Sequence, residues 1–352
     1  MSEEYNCLRK ENYPSFFLSR ETMIKRYLSV GSLKNRVRDF IVKKKPESHL
    51  QILLYHRILN PDEMDFLSDL GMVHTSTKNF EDHLRWLKHH NYTVINFKQV
   101  SEYLDNGQLL PPKSIVITFD DGSLDQYRNA VPLLKKYGVS ATFFPIKNCV
   151  YTTKLFWLTE FYAYLNELGF KKAGEILQDL PRLPDSRVVE ERIPRFTRAK
   201  RDIAFEFKYL FSPKEKESGL IRLRKESAMT GSEITAFCQR YMNSDQLKDL
   251  IEEGFEIGSH GVHHYPMICL THEEKRIEIE KTWIDQLDPE GRKIFSLPFG
   301  SHSQSDFALF EGYDFVLTTK NETYPSHNVG PELGRFAVLD EPAGRLSKRL
   351  IS

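Results

Sequence analysis

Seven short apolar runs, separated by stretches with helical spacing, constrain the fold of this chain more than any other feature. They occupy residues 51–55, 114–119, 140–144, 255–259, 293–297, 314–319 and 335–339. Most are rich in β-branched or aromatic side chains and bounded by polar or turn-forming residues, as buried strands are. Between them, Phe80, Leu84 and Leu87 share one helical face behind the cap candidates Ser76 and Thr77. A helix is expected over 124–137, stopped by Gly138. Another runs over 244–253, opened by the capping-box pair Asn243 and Gln246 and ended by Gly254. A third runs over 271–287, opened by Thr271 and Glu274. Strand–helix alternation of this kind implies an α/β fold with a mostly parallel sheet or barrel.

Two stretches break the rhythm. Residues 1–48 are basic, end in a charged, proline-containing linker, and place Met23, Ile24, Tyr27, Leu28, Leu33, Val37, Phe40 and Ile41 at helical spacing. They read as an N-terminal helical extension packed on the outside of the domain, with peripheral membrane contact as the alternative. Residues 150–240 read as a helical insertion, interrupted by Pro181, Pro184 and Pro194, that covers one end of the barrel. Lys+Arg and Asp+Glu balance at 49 each, so nothing in the charge favours nucleic acid as a partner. Cys7, Cys149, Cys238 and Cys269 form no CxxC pair, which argues for reduced thiols rather than a disulfide framework or zinc ribbon. No apolar run near the N-terminus is long enough for a signal peptide, and the expected compartment is the cytoplasm.

Chemistry concentrates at two strand ends. The first is 118–122, ThrPheAspAspGly, where Asp120 and Asp121 follow an apolar strand. Adjacent carboxylates there repel each other and lose hydration. A cation bound by one of them would relieve that cost and leave the other as a general base. The bland alternative is an Asx turn with Gly122 at positive φ. The second is 259–264, SerHisGlyValHisHis, also directly after a strand. His260 and His264 are four apart, so both imidazoles can reach one ion, while His263 points elsewhere. Two imidazoles and a carboxylate leave open positions for water and substrate, which marks a catalytic site.

Through these two motifs the chain resembles the polysaccharide deacetylases of the NodB-homology type, carbohydrate esterase family 4, from about residue 50 to 340 outside the insertion. Residues 118–122 match the TFDDG motif and 260–264 the H-x-x-x-H motif. Residues 297–300, LeuProPheGly, match a third motif that lines the cleft. The resemblance implies a distorted (β/α) barrel over 49–345. It also implies Asp121, His260 and His264 as ligands of a divalent ion, zinc by preference, with nickel or cobalt as alternatives. Asp120 is then the general base, and Pro298, Phe299 and Arg335 are candidate substrate-binding residues. The implied reaction is hydrolysis of an N-acetyl group on a sugar.

Two positions depart from the pattern. The family's C-terminal catalytic histidine has no counterpart after His327. His56, which ends the LeuLeuTyrHis strand at 53–56, resembles the histidine of biofilm-type poly-N-acetylglucosamine deacetylases and is the candidate acid. Ser296 stands where the family places an arginine that pairs with the base, and Arg335 is the candidate to supply that cation. The absence of a signal peptide favours a lipid-linked or nucleotide-linked N-acetyl sugar, whose phosphates Arg192, Arg195, Arg198 and Arg201 of the insertion could face. Hydrolysis of another C–N amide and a non-catalytic glycan-binding role remain as alternatives.

Overall fold

The computed structural model describes residues 48–350 except 66, 68–72, 153–154, 185–201, 231, 234–235, 237–239 and 327. The N-terminal extension expected over 1–48, save its last residue, lies outside them, as do Arg192, Arg195, Arg198 and Arg201.

The strands are β1 His49–Tyr55, β2 Arg57–Leu59, β3 His74–Ser76, β4 Thr93–Val94, β5 Ser114–Asp121, β6 Thr142–Pro145, β7 Glu256–Ile257, β8 Ile294–Ser296, β9 Phe315–Leu317, β10 Tyr324–Pro325, β11 Glu332–Leu333 and β12 Phe336–Ala337. In parallel, β1 pairs with β5, β5 with β6 and β6 with β7. A second parallel set joins β8, β9 and β11. A bridge between Ser259 and Phe295 links the end of β7 to β8, and β12 returns to pair in parallel with β1. The short segment from β11 to β12 thus pairs with β9 on one side and β1 on the other.

Alternation along β5 decides what each of its side chains meets. Ile115, Ile117 and Phe119 pack with Leu53, Tyr55 and Phe143 against helices, where they meet Phe80, Leu84 and Leu87 of α1 (Thr77–His89). Val116 faces the other way, with Leu50, Ile52, Phe144, Ile294, Leu317 and Leu333. All eight residues of β5 are buried, as expected of a central parallel strand covered on both faces. Thr118 and Asp120 follow Val116 in register, so the interior face ends on a carboxylate.

After β4 comes α2 (Phe97–Asp105). The helix expected over 124–137 forms, but its first part, Gln126–Ala130, is a π turn that leads into α3, Val131–Tyr137. Pro132, lacking an N–H and crowding the preceding turn, accounts for the widening there. Gly138 ends the helix at φ +65°, as the sequence suggests.

Beyond α4 (Lys147–Tyr151), the insertion contributes α5 Trp157–Leu177, α6 Ile203–Tyr209 and α7 Pro213–Glu226. They enclose a core of their own, in which Phe161 and Phe207 stack at 4.0 Å. The helix at 244–253 is α8, Ser244–Glu252, with the Asn243–Gln246 capping box in place.

The single helix expected over 271–287 is two: α9 His272–Glu278 and α10 Thr282–Leu287. The Ile279 carbonyl accepts the Tyr313 hydroxyl at 2.7 Å instead of continuing the ladder, and Glu278 turns inward. The last helix is α11, Ala343–Leu350. Among the described residues no helix is long and apolar enough to cross a membrane.

Candidate metal centre

β5 ends where the chain must turn under Pro145 of β6. Asp121 takes φ +74° and Gly122 φ +72°. A Cβ on Gly122 would lie 2.6 Å from Cβ of Pro145, so only glycine fits this turn. The left-handed step at Asp121 redirects a carboxylate that strand alternation would have sent away from Asp120. His264 and Phe299 are also at positive φ, +63° and +56°. Three side chains of one small region therefore sit on strained backbone, a pattern associated with functional sites.

The loop after β7 brings His260 and His264 to Asp121. Oδ1 of Asp121 lies 3.4 Å from Nε2 of His260 and 3.3 Å from Nε2 of His264. The two Nε2 atoms are 3.0 Å apart. All three residues are buried, and they form a group able to hold a metal ion. Ligand atoms at ~2.0–2.1 Å around a tetrahedral cation stand roughly 3.3 Å from one another, so these separations match one face of such a shell. Nδ1 of His260 lies 2.8 Å from the Ser296 carbonyl oxygen. Donation to that carbonyl requires the proton on Nδ1, which leaves Nε2 with a lone pair toward the cluster. These residues fit a divalent cation.

Electrostatics agree with the geometry. Burial alone would raise the Asp121 carboxyl, but the hydrogen bond from His260 and the charge of His264 hold it well below the usual range. Burial, with His260 beside it, pushes His264 down to about 3. Burial opposes the charge on His260, yet Asp120 and Asp121 outweigh it and raise that imidazole.

Asp120 is anchored from the opposite side. Burial would raise its pKa, but the guanidinium of Arg335 and the charge of His260 bring it down to about 2. Arg335 donates through its two terminal nitrogens to Oδ1 at 2.8 Å and Oδ2 at 2.7 Å. Its Nε donates to the Thr318 carbonyl at 3.2 Å. The Ser296 hydroxyl donates to the same carboxylate at 3.0 Å and accepts from Arg335 at 2.8 Å. The cation that Ser296 cannot provide thus arrives from the turn between β11 and β12. Oδ2 of Asp120 remains 3.6 Å from Nε2 of His260, beside the place a cation would take.

Other sequence expectations fare differently. Arg335 is fully buried and turned onto Asp120 rather than toward solvent. Pro298 is buried too, in the turn after β8. Phe299 is only half-buried and lies over the cluster, its ring 4.5 Å from that of His264. His56 is electrostatically coupled to Asp120, Asp121 and His264; burial lowers its pKa, and its Nδ1 has no hydrogen-bond partner. His302 is buried with its ring edge-on to Phe307 at 5.2 Å. Phe156 and Trp157 are core residues, and Phe156 also touches the site, 5.0 Å from the His264 ring. Glu278, unremarked in the sequence because it sits in a charged stretch, is buried beneath the His260–His264 loop.

Comparison with known proteins agrees with this arrangement. A family model described as polysaccharide deacetylase matches residues 108–171 and 226–311. The gap falls on the insertion, and the matched segments carry Asp120, Asp121, His260 and His264 while leaving out His56 and Arg335. YxkH of Bacillus subtilis (strain 168) is 36% identical over 105 residues, 30% of this chain and 34% of that one. The poly-beta-1,6-N-acetyl-D-glucosamine N-deacetylase of Staphylococcus epidermidis is 33% identical over 144 residues, 39% of this chain and 47% of that one. The chain thus spans about half, or less, of the length of these curated relatives. The Streptococcus pyogenes deacetylase PplD, solved in complex with acetate, shares the fold with a TM-score of 0.54 at 18% identity over 87% of this chain and 99% of that one. Matched segments on both sides of the insertion and a shared fold make the chain similar to the polysaccharide deacetylases of the NodB-homology type.

Proposed function

We propose that this protein is a metal-dependent hydrolase that removes N-acetyl groups from a sugar or glycoconjugate. The observation that carries the reading is the buried triangle of Asp121, His260 and His264 with a second, ionised carboxylate beside it. A divalent cation held there, zinc by preference for two imidazoles and a carboxylate, supplies Lewis acidity toward water and an acetyl carbonyl.

The protein's own groups divide the remaining work. Asp120 is fixed by Arg335 and Ser296 and is ionised at neutral pH, so its carboxylate can receive the proton that an attacking water gives up. Departure of the amine requires a proton donor. His56 is our candidate for it, since its Nδ1 is uncommitted and its charge couples to Asp120 and Asp121. Burial keeps that ring neutral at rest, so it must take up a proton before it can donate one. Phe156 and Phe299 flank His264 and keep water away from that side of the cluster. Water and the amide yield acetate and a free amine.

The Staphylococcus epidermidis relative is named for N-acetylglucosamine units, which makes N-acetylglucosamine oligomers the first substrates to test. Acetate release from them by zinc-loaded protein is the expected result. Asp120→Asn should lower turnover by at least about a hundredfold while zinc stoichiometry is kept, as loss of a general base does. Equal turnover in the two proteins removes Asp120 from the base role. No acetate from any N-acetyl sugar would overturn the reading itself.

A further inference from the structure

The loop that carries His260 and His264 has little regular structure, yet its two imidazoles must converge within about 3 Å of each other to share one ion. Glu278, the last residue of α9, supplies the restraint. Its carboxylate lies directly under the loop and is 1% exposed. The backbone N–H of His263 donates to Oε1 at 3.0 Å and that of Tyr265 donates to the same oxygen at 3.2 Å. Nδ1 of His263 lies 3.2 Å from Oε2. The Glu278 backbone carbonyl accepts the N–H of Val262 at 3.1 Å. One residue therefore ties down positions 262, 263 and 265, on either side of His264, and draws the His263 ring away from the cluster. Gly261, at φ +86°, completes the fit: a Cβ there would lie 2.4 Å from Oε1.

Among the described residues no lysine or arginine pairs with Glu278. A buried carboxylate is costly unless its lone pairs are satisfied, and here the donors that satisfy it all belong to the ligand loop. We propose that Glu278 is a positioning residue for the cation site, holding His260 and His264 in ligating geometry through the backbone between and after them. This rests on the metal-dependent reading above. Partners of this kind behind metal ligands typically contribute 10–100-fold in affinity.

The test is zinc affinity of the full chain, read by competition with a chromophoric chelator. Glu278→Gln keeps the shape but replaces one acceptor oxygen with a donor that opposes the loop's N–H groups. Zinc affinity should fall by about tenfold or more. The control is Glu256→Gln. Glu256 is another carboxylate, half-buried, which accepts from the N–H groups of Phe97 and Lys98 and from the Thr142 hydroxyl. It should lose thermal stability with unchanged zinc affinity.

If Glu278→Gln fails to fold, Gly261→Ala displaces the same carboxylate and should weaken zinc in the same way. Unchanged zinc affinity in a folded Glu278→Gln or Gly261→Ala protein, or an equal loss in Glu256→Gln, overturns the role of Glu278 and leaves the family reading standing. A wild-type protein that binds no zinc, nickel or cobalt overturns both.

Discussion

Arg335 and Asp120 are a buried pair whose importance shows when one partner is removed. The guanidinium is fully enclosed and donates to both carboxylate oxygens and to a backbone carbonyl. Arg335→Met leaves Asp120 charged, buried and half-satisfied, and should destabilise the protein by about 3–5 kcal/mol in urea unfolding. Arg335→Lys keeps the charge but loses the two-pronged geometry, so it should fall between the two.

The pH dependence follows with a definite sign. Asp120 is held down to about 2 against an ordinary aspartate value near 3.9. Its contribution to stability is therefore present above about pH 4 and is lost as pH falls toward about 2. Thermal unfolding of Arg335→Met should show less of this acid loss than the wild type, and parallel curves would count against the pairing. At this scale the sequence was only partly legible. The sequence offers Arg335 as the cation missing at Ser296, but only the fold shows that these two residues, far apart in the chain, grip one carboxylate together.

Elements were more legible where a local signal fixes them. Alternation in the β5 run and Gly138 at the helix end have direct structural outcomes, because both act within a few residues. The break between α9 and α10 was not visible, since it depends on Tyr313 reaching a carbonyl from a distant loop. Lys216, in α7 of the insertion, is hidden in the same way. It is fully buried, donates to the Phe211 carbonyl, lies 3.4 Å from Sγ of Cys269 and stands 5.3 Å from the Trp157 ring centre. Among the described residues no carboxylate pairs with it.

Burial lowers the pKa of Lys216, so the unfolded chain binds the extra proton and stability should rise with pH through that range. Lys216→Met removes the desolvation cost together with one hydrogen bond. It should lie within about 1 kcal/mol of wild type at neutral pH. Its melting temperature should also rise less than that of the wild type as pH approaches about 10, near the free lysine pKa. A large destabilisation by Lys216→Met would mean that the buried ammonium holds α7 in place.

For the whole molecule, the candidate cation site draws on segments far apart in the chain. Asp121 closes β5, His260 and His264 follow β7, Ser296 ends β8 and Arg335 precedes β12. The sequence conveyed this much because both ligand motifs sit at strand ends, where parallel folds collect their active sites. It could not convey the aromatic wall of Phe156 and Phe299, which depends on how the insertion and the β8 turn approach the ligand loop.

A ligand bound only by the folded state stabilises that state by mass action. Free zinc at about 1,000 times its dissociation constant should add about 4 kcal/mol to the unfolding free energy. Chelation should remove that increment. His264→Ala should unfold at the same temperature with and without zinc, because the triangle has lost a corner. Zinc-dependent stabilisation that survives in His264→Ala would place the ion elsewhere. Zinc-independent melting of a wild-type protein that nevertheless binds the ion would mean that the end of β5 and the ligand loop are held together by packing alone, with the cation a passenger in a preformed cage.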